Sequence, residues 1–197
     1  MTEQRRHGKA LETAIFDATI AILDADGLDG VTFSKVAARA KTSRPVIYRH
    51  WDSPFTLALE AIRNKIRQTN NGHLQDVPFT GQNLSDDLSQ VLQRYRVIMD
   101  TYSQYYVSLL LAGANSDHTS ILDDMFDHGN QENIETMTLI LNRAIARKEI
   151  KGDTFDDETK LLPFEWLRYH LFTATKVSDN QLNTFIQHIL IPVYTQK

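Results

Sequence analysis

Apolar positions along the 197-residue chain recur at three- and four-residue spacing almost throughout, and no period-two alternation competes with them. Leu11, Ile15, Ala18 and Ile22 predict an amphipathic helix over 9–25, closed by Asp26-Gly27, with Gly30 marking a second turn. Thr32 stands where an N-cap is needed, ahead of Phe33, Val36, Ala37 and Ala40 at i, i+3, i+4 and i+7, so a short helix is predicted over 32–40. Lys35 occupies the position where a glutamate would complete a capping box. After the break Lys41-Thr42-Ser43, a second short helix is predicted over 43–51. Ser43 can cap it, and Pro45 falls in its first turn, where a missing N–H does little harm. Ser53 and Pro54 then open a helix running to about Gln68, with Phe55, Leu59 and Ile62 on one face.

Residues 69–83 hold three Asn, two Gly and a Pro without helical period and read as a linker. Beyond them Leu84, Leu88, Val91, Tyr95, Ile98 and Tyr102 form a helical stripe. Further helices are predicted at about 103–114, 117–127, 129–149, 155–176 and 178–195. Pro163 is expected to kink its helix or to start the regular part of it. Ser178 and Gln181 form a capping box ahead of the seam Leu182, Phe185, Ile189 and Val193. The expected fold is all-α. A three-helix head over 1–52, with its helix pair at 32–51, is followed by a connecting helix over 53–68, the linker, and a larger helical body over 84–197.

Composition narrows the function. Hydrophobic residues at 42% and charged residues at 23% are those of a globular protein. No apolar run approaches the roughly 20 residues of a membrane span, and the N-terminal stretch has neither the apolar core nor the cleavage site of a secretory signal. The chain has no cysteine, which excludes disulfides, thiolate catalysis and cysteine-ligated metals, and a cytoplasmic location is expected. The net charge of −4 hides an asymmetry: residues 1–70 carry +3 and residues 71–197 carry −7. A small basic module attached to an acidic body fits that division.

The two short helices have the dimensions of a helix-turn-helix. At 100° per residue, Ile47 and Trp51 share a face that needs a core, while Pro45, Tyr48 and Arg49 fall opposite and Arg44 lies between. His50 falls nearer the buried side. The outward set suits DNA, because arginine forks onto a guanine edge or a phosphate and hydroxyls donate to phosphate oxygens. The helix N-terminus adds free N–H groups of the right sign for an anion. Tyrosine and arginine also anchor protein interfaces. On these residues alone a DNA-reading head and a helical protein-binding adaptor both remain open.

The stretch GLDGVTFSKVAARAKTSRPVIYRHWDSPFTLALEAI resembles the tetracycline-repressor-like (TetR) family of bacterial regulators. The resemblance is carried by Gly27, Thr32, the run Val36-Ala37-Ala38-Arg39-Ala40, Ser43, Tyr48-Arg49-His50-Trp51 and the helix after Pro54, and covers about residues 9–66. It implies phosphate contacts from Thr32, Tyr48 and His50. It also implies a major-groove edge formed by Thr42, Ser43, Arg44, Pro45 and Arg49, with Ile47 and Trp51 in the core. Arg5, Arg6 and Lys9 could add salt-sensitive backbone contacts. Two positions depart from the family pattern. Lys41 stands where a turn glycine is usual, so it must adopt a left-handed conformation or use another turn. Pro54 replaces a frequent lysine, which removes one phosphate contact.

For the body, the resemblance implies a homodimer built on the last two helices and a cavity for a small-molecule effector. The dimer candidates are Trp166, His170, Phe185 and Ile189, from a set that also includes Leu161, Tyr169, Phe172, Ile186 and Leu190. The effector candidates are Tyr95, Met99, Tyr102, Tyr106, Phe126 and Trp166, with Tyr105 nearby and Gln104 or His128 as polar partners. A stripe of this kind also serves as plain core. Enzymes find little support, since the seven histidines are dispersed and no phosphate-cradling loop or nucleophile elbow occurs. Asp124 and His128 share a helical face but lack a third ligand, so neither a metal nor a cofactor is expected. The expected partners are an operator in double-stranded DNA, a second copy of the chain and a small effector. The expected activity is that of a ligand-responsive repressor.

Overall fold

Short polar side chains cap several of the helix starts in this chain. The computed structural model describes residues 8–69, 78–114, 119–151, 155–173 and 175–195, and it leaves out the side chains at 101, 102, 104, 106, 113, 114, 119, 121, 122, 125 and 172. Within that range every regular element is helical. Helices α1 (Lys9–Asp26), α2 (Phe33–Ala40), α3 (Arg44–Tyr48) and α4 (Pro54–Thr69) form the head and its connection. The Thr32 hydroxyl accepts from the Lys35 N–H at 3.2 Å and caps α2. Ser53 Oγ accepts from the Thr56 N–H at 3.1 Å at the start of α4. Helix α1 stops at Gly27, whose φ of 71° is the left-handed region open to glycine. A 3₁₀ turn, Leu28–Gly30, follows. Gly30 is needed for space, since a Cβ there would come within 2.2 Å of the Asp26 Cβ.

The chain divides into two compact units, Met1–Thr69 with Gln104–Ile121, and Asn70–Ser103 with Leu122–Lys197. In the first, α1 packs on α2 and α4, and α2 packs on α3. Ile15, Ala18, Ile22, Val36, Ala37, Ile47, Leu57, Ala58, Ala61 and Ile62 are buried there. The Tyr105 hydroxyl donates to Asp24 at the end of α1. Beside that bond lies a cavity of about 260 Å³, lined by Leu23, Asp24, Leu28, Ile62, Ser108 and Leu109 among others. It is below the usual size of a ligand pocket.

The second unit is built mainly from α5 (Leu84–Ala114), α6 (Thr119–Ala146), α7 (Asp157–Phe172), α8 (Asp179–Phe185) and α9 (Ile191–Thr195), the first two contributing their ends to the first unit. The expected break near 103 does not occur: α5 is one 31-residue helix, because neither Gly nor Pro interrupts residues 84–112. The expected break at 128–129 is absent as well. Gly129 lies inside α6, where its cost of about 1 kcal/mol relative to alanine weakens the helix without ending it. Helix α7 is shorter than expected at both ends, capped by Asp156, whose Oδ1 accepts from the Thr159 N–H at 2.7 Å. The Ser178–Gln181 capping box ahead of α8 forms as predicted. Between α8 and α9 the chain makes one π turn, Ile186–Leu190. Pro192 lies just beyond it. It has no N–H for the His188 carbonyl, and its ring crowds that carbonyl, which a widened turn relieves.

Pro163 sits inside α7 and leaves the Thr159 carbonyl without its helical donor. The buried Tyr194 hydroxyl fills the gap, donating to that carbonyl at 2.9 Å. Burial pushes the Tyr194 hydroxyl well above the ordinary tyrosine pKa. A second buried polar group, Asp87, is fully enclosed and paired twice, with Arg143 Nε at 3.0 Å and Arg147 Nη2 at 2.9 Å. Arg143 also donates to the Gly81 carbonyl at 3.1 Å, which ties residue 81, just ahead of α5, to α6. The rest of the expected linker, residues 70–77, lies outside the described residues.

Candidate nucleic-acid interface

The α2–α3 pair assembles from one buried and one open face. Ile47 is fully buried and Trp51 nearly so. The Trp51 ring meets Phe16 edge-on at 5.7 Å, and its Nε1 donates to Glu60 Oε2 at 2.6 Å. That indole thus ties the end of the helix pair to α1 and α4 together. Helix α3 is shorter than the expected 43–51. Regular structure ends at Tyr48, although the Trp51 N–H still reaches the Ile47 carbonyl at 3.1 Å. Five helical residues suffice to present Arg44, Pro45 and Tyr48.

The open face collects most of the predicted residues. Ser43, Arg44, Pro45, Tyr48, Arg49 and His50 are exposed, and Thr42 is half-buried. Ser43 occupies the N-cap position of α3 without making a side-chain cap bond, so its hydroxyl is not used by the helix. Tyr48 is 61% exposed, its ring held edge-on against buried Phe33 at 4.7 Å while the rest of the side chain faces water. Thr32 is exposed but its hydroxyl already caps α2. His50 is more open than its helical position implied, because the helix ends before it. Its ring still lies 5.5 Å from Trp51. Lys41 adopts φ 54° and ψ 47°, the left-handed conformation, with the Thr42 N–H bonded to the Ala37 carbonyl at 2.9 Å. Arg39 is a further exposed cation on α2. Lys35, by contrast, pairs with Asp26 at 2.8 Å.

In the body the structure gathers three of the four predicted dimer residues. Trp166 stacks on Phe185 at 4.1 Å and 10°, and His170 meets Trp166 edge-on at 4.7 Å. Ile189 is 47% exposed, with Tyr169 at 62% and Val193 at 37%, a notable amount of apolar surface for the last two helical stretches. Of the predicted effector residues, Tyr95 and Met99 are buried, Phe126 and Trp166 half-buried, and the side chains of Tyr102 and Tyr106 lie outside the described residues. Tyr95 meets Phe164 edge-on at 4.9 Å, and burial raises its pKa against the opposing effects of Arg168 and a hydrogen bond with Asn133. The polar neighbours Asn130, Asn133 and Arg168 were not singled out from the sequence, since only the packing of α7 beside α6 brings them together. Arg168 donates to Asn130 Oδ1 at 2.6 Å. His128 pairs with Glu132 at 3.4 Å. Among the described residues no group of three or more His, Cys, Asp or Glu is placed to hold a metal ion, and no helix is long and apolar enough to cross a membrane.

Residues 15–60 match the family model of bacterial regulatory proteins, tetR family. Over 187 residues the chain is 26% identical to uncharacterized HTH-type transcriptional regulators of Mycobacterium tuberculosis and Mycobacterium bovis, covering 94% of this chain and 88% of each relative. Among solved structures it is similar to a Rhodococcus sp. protein assigned to the TetR family of transcriptional regulators. There the TM-score is 0.63 at 17% identity, covering 95% of this chain and 100% of that one. It is also similar to the regulator FadR from Bacillus subtilis in complex with stearoyl-CoA, with a TM-score of 0.60 at 15% identity, covering 93% and 98% of the two chains. At these identities the two structures speak for the fold.

Proposed function

We propose that the chain, whose residues 15–60 match the tetR family of bacterial regulatory proteins, is a cytoplasmic, effector-responsive repressor of that family that binds a pseudo-palindromic operator as a homodimer. One observation carries the reading. Burial of Ile47 and Trp51 turns Ser43, Arg44, Pro45, Tyr48 and Arg49 outward on the second helix of a matched helix-turn-helix. Arg44 and Arg49 read base edges, and Thr42, Ser43 and Pro45 fit against the groove. Thr32, Tyr48 and His50 lie against phosphates and set the register. In this assignment residues 1–52 are the reading head, 53–68 the connecting helix, 69–83 a linker and 84–197 the regulatory and dimerising body. We assign no catalytic step.

A single head spans only a few base pairs, so two heads on a dyad supply both affinity and site length. The surface of Trp166, His170, Phe185 and Ile189 is the proposed dimer contact, supported by the exposure of Ile189, Tyr169 and Val193 beside the Trp166–Phe185 stack. The effector lies against Tyr95, Met99, Tyr102, Tyr106, Phe126 and Trp166. Long-chain acyl-CoA is the first class to test, because a structural neighbour was solved with stearoyl-CoA. Helix α5 offers the route from effector to head. Tyr95 and Tyr105 both belong to it, and Tyr105 is bonded to Asp24 of α1. An effector that prefers one position of α5 thereby biases α1, which packs on α2.

Selection of bound fragments from the source genome tests the reading. It predicts recovery of one sequence with two inverted half-sites, their centres one helical turn or a multiple apart. Recovery without any shared sequence, at an affinity set by fragment length alone, would refute it.

A further inference from the structure

We propose that Lys41 is a phosphate-contacting residue of the DNA interface, a role that rests on the DNA-binding reading above and extends it to the turn between α2 and α3. The argument starts from backbone geometry. Helix α2 ends in a Schellman motif, with the Lys41 N–H on the Ala38 carbonyl at 3.3 Å and the Thr42 N–H on the Ala37 carbonyl at 2.9 Å. The residue at the centre of that motif must be left-handed, and Lys41 is, at φ 54°. Glycine takes that conformation freely, whereas a side chain crowds the backbone. A lysine in this place bears backbone strain that a glycine would not, and strain of this kind recurs at functional sites.

The surroundings define the task. Lys41 is exposed and precedes Thr42, Ser43, Arg44 and Pro45, all assigned to the groove edge. When the second helix of such a pair enters the major groove, the first crosses the sugar-phosphate backbone. The turn joining them then stands at the groove rim, where an ammonium on a long flexible stem reaches phosphate without fixing sequence. Arg39, Arg44 and Arg49 are exposed nearby in sequence, so Lys41 completes a run of positive charge across the turn.

The chain contains its own control. Lys148 ends α6 in the same motif, at φ 62°, with its N–H on the Ile145 carbonyl at 2.9 Å and the Glu149 N–H on the Ala144 carbonyl at 3.0 Å. A cation near the last carbonyls of a helix is locally favourable in both places. Only Lys41 lies in the reading head.

The test measures affinity of the full-length protein for a mixed-sequence duplex of about 30 base pairs across a salt series, since phosphate contacts are independent of sequence. Lys41→Gly relieves the backbone and removes the charge, Lys41→Gln removes the charge alone, and Lys148→Gly relieves the same strain in the body. Circular dichroism confirms that each variant is folded. For both Lys41 variants the slope of log affinity against log salt becomes shallower by about 0.9 per protomer. For Lys148→Gly the slope stays at the wild-type value, and Lys41→Arg retains it. An unchanged slope in the Lys41 variants, with wild type binding normally, overturns this proposal alone. A wild-type protein with no salt-dependent DNA affinity overturns the DNA-binding reading and this proposal together.

Discussion

Replacing Tyr194 by phenylalanine removes one oxygen atom from a fully described site, and its effect can be worked out from the structure. The hydroxyl donates to the Thr159 carbonyl at 2.9 Å, and Pro163 supplies that carbonyl with no helical donor. Phenylalanine keeps the ring and its edge-on contact with Phe155 at 5.4 Å, so packing is conserved. What changes is one part-buried acceptor left without its partner, a loss of about 1–2 kcal/mol. Urea denaturation at fixed protein concentration reads it directly, and the melting temperature should fall by about 2–4 °C per kcal/mol for a chain of this length. The decisive comparison is Tyr194→Phe in a Pro163→Ala background, where the amide of residue 163 can bond to the Thr159 carbonyl. There the same change should cost under about 0.5 kcal/mol, leaving a coupling of about 1 kcal/mol between the two positions. Equal costs in both backgrounds would refute the claim that Tyr194 stands in for the proline's missing N–H. A pH series adds a second readout. Burial raises the pKa of the folded-state hydroxyl, so its contribution is complete below about pH 10, the value in the unfolded chain, and is lost as pH rises above it. Tyr194→Phe should flatten part of the alkaline decline, with Tyr95, raised in the same direction, accounting for a remainder.

Thr32→Ala removes the cap of α2 and should lower stability by about 1 kcal/mol, measured by urea denaturation, with DNA affinity falling alongside. Arg49→Ala should weaken operator binding by about 1–3 kcal/mol while leaving affinity for unrelated duplex far less changed. An equal loss on both duplexes would make Arg49 a phosphate contact instead. Tyr105→Phe removes the donor to Asp24. It should leave operator affinity without effector within a few-fold of wild type, and diminish effector-driven release in an anisotropy titration.

Local signals were legible because they act within one turn of chain. The Thr32 and Ser53 caps and the Ser178–Gln181 box follow from residues three apart, and Ile47 with Trp51 from a four-residue spacing. The family pattern of the head could be read for the same reason. Features that depend on distant partners could not. Asp87 has the local sequence of an ordinary acidic residue in a first helical turn, and only the approach of Arg143 and Arg147, 56 and 60 residues later, explains its full burial. Tyr194 and Thr159 are 35 residues apart, and their bond exists because Pro163 created a need for it. The helix breaks expected near 103 and 129 are absent because no residue compels one near 103 and a single glycine is tolerated at 129. The π turn before Pro192 has no local polar signature at all. His50 shows the limit of helical-wheel reasoning, since the regular helix ends at Tyr48, two residues before it.

The most direct test of the central claim compares affinity for a genome-selected fragment with affinity for the same fragment shuffled, at one fixed salt concentration. The account predicts that the selected fragment binds about 10³-fold tighter or more, with two protomers per site and with Arg44→Ala and Arg49→Ala eroding the ratio. A ratio near one at the same salt would contradict it, leaving the exposed face of α3 to a partner other than a DNA sequence.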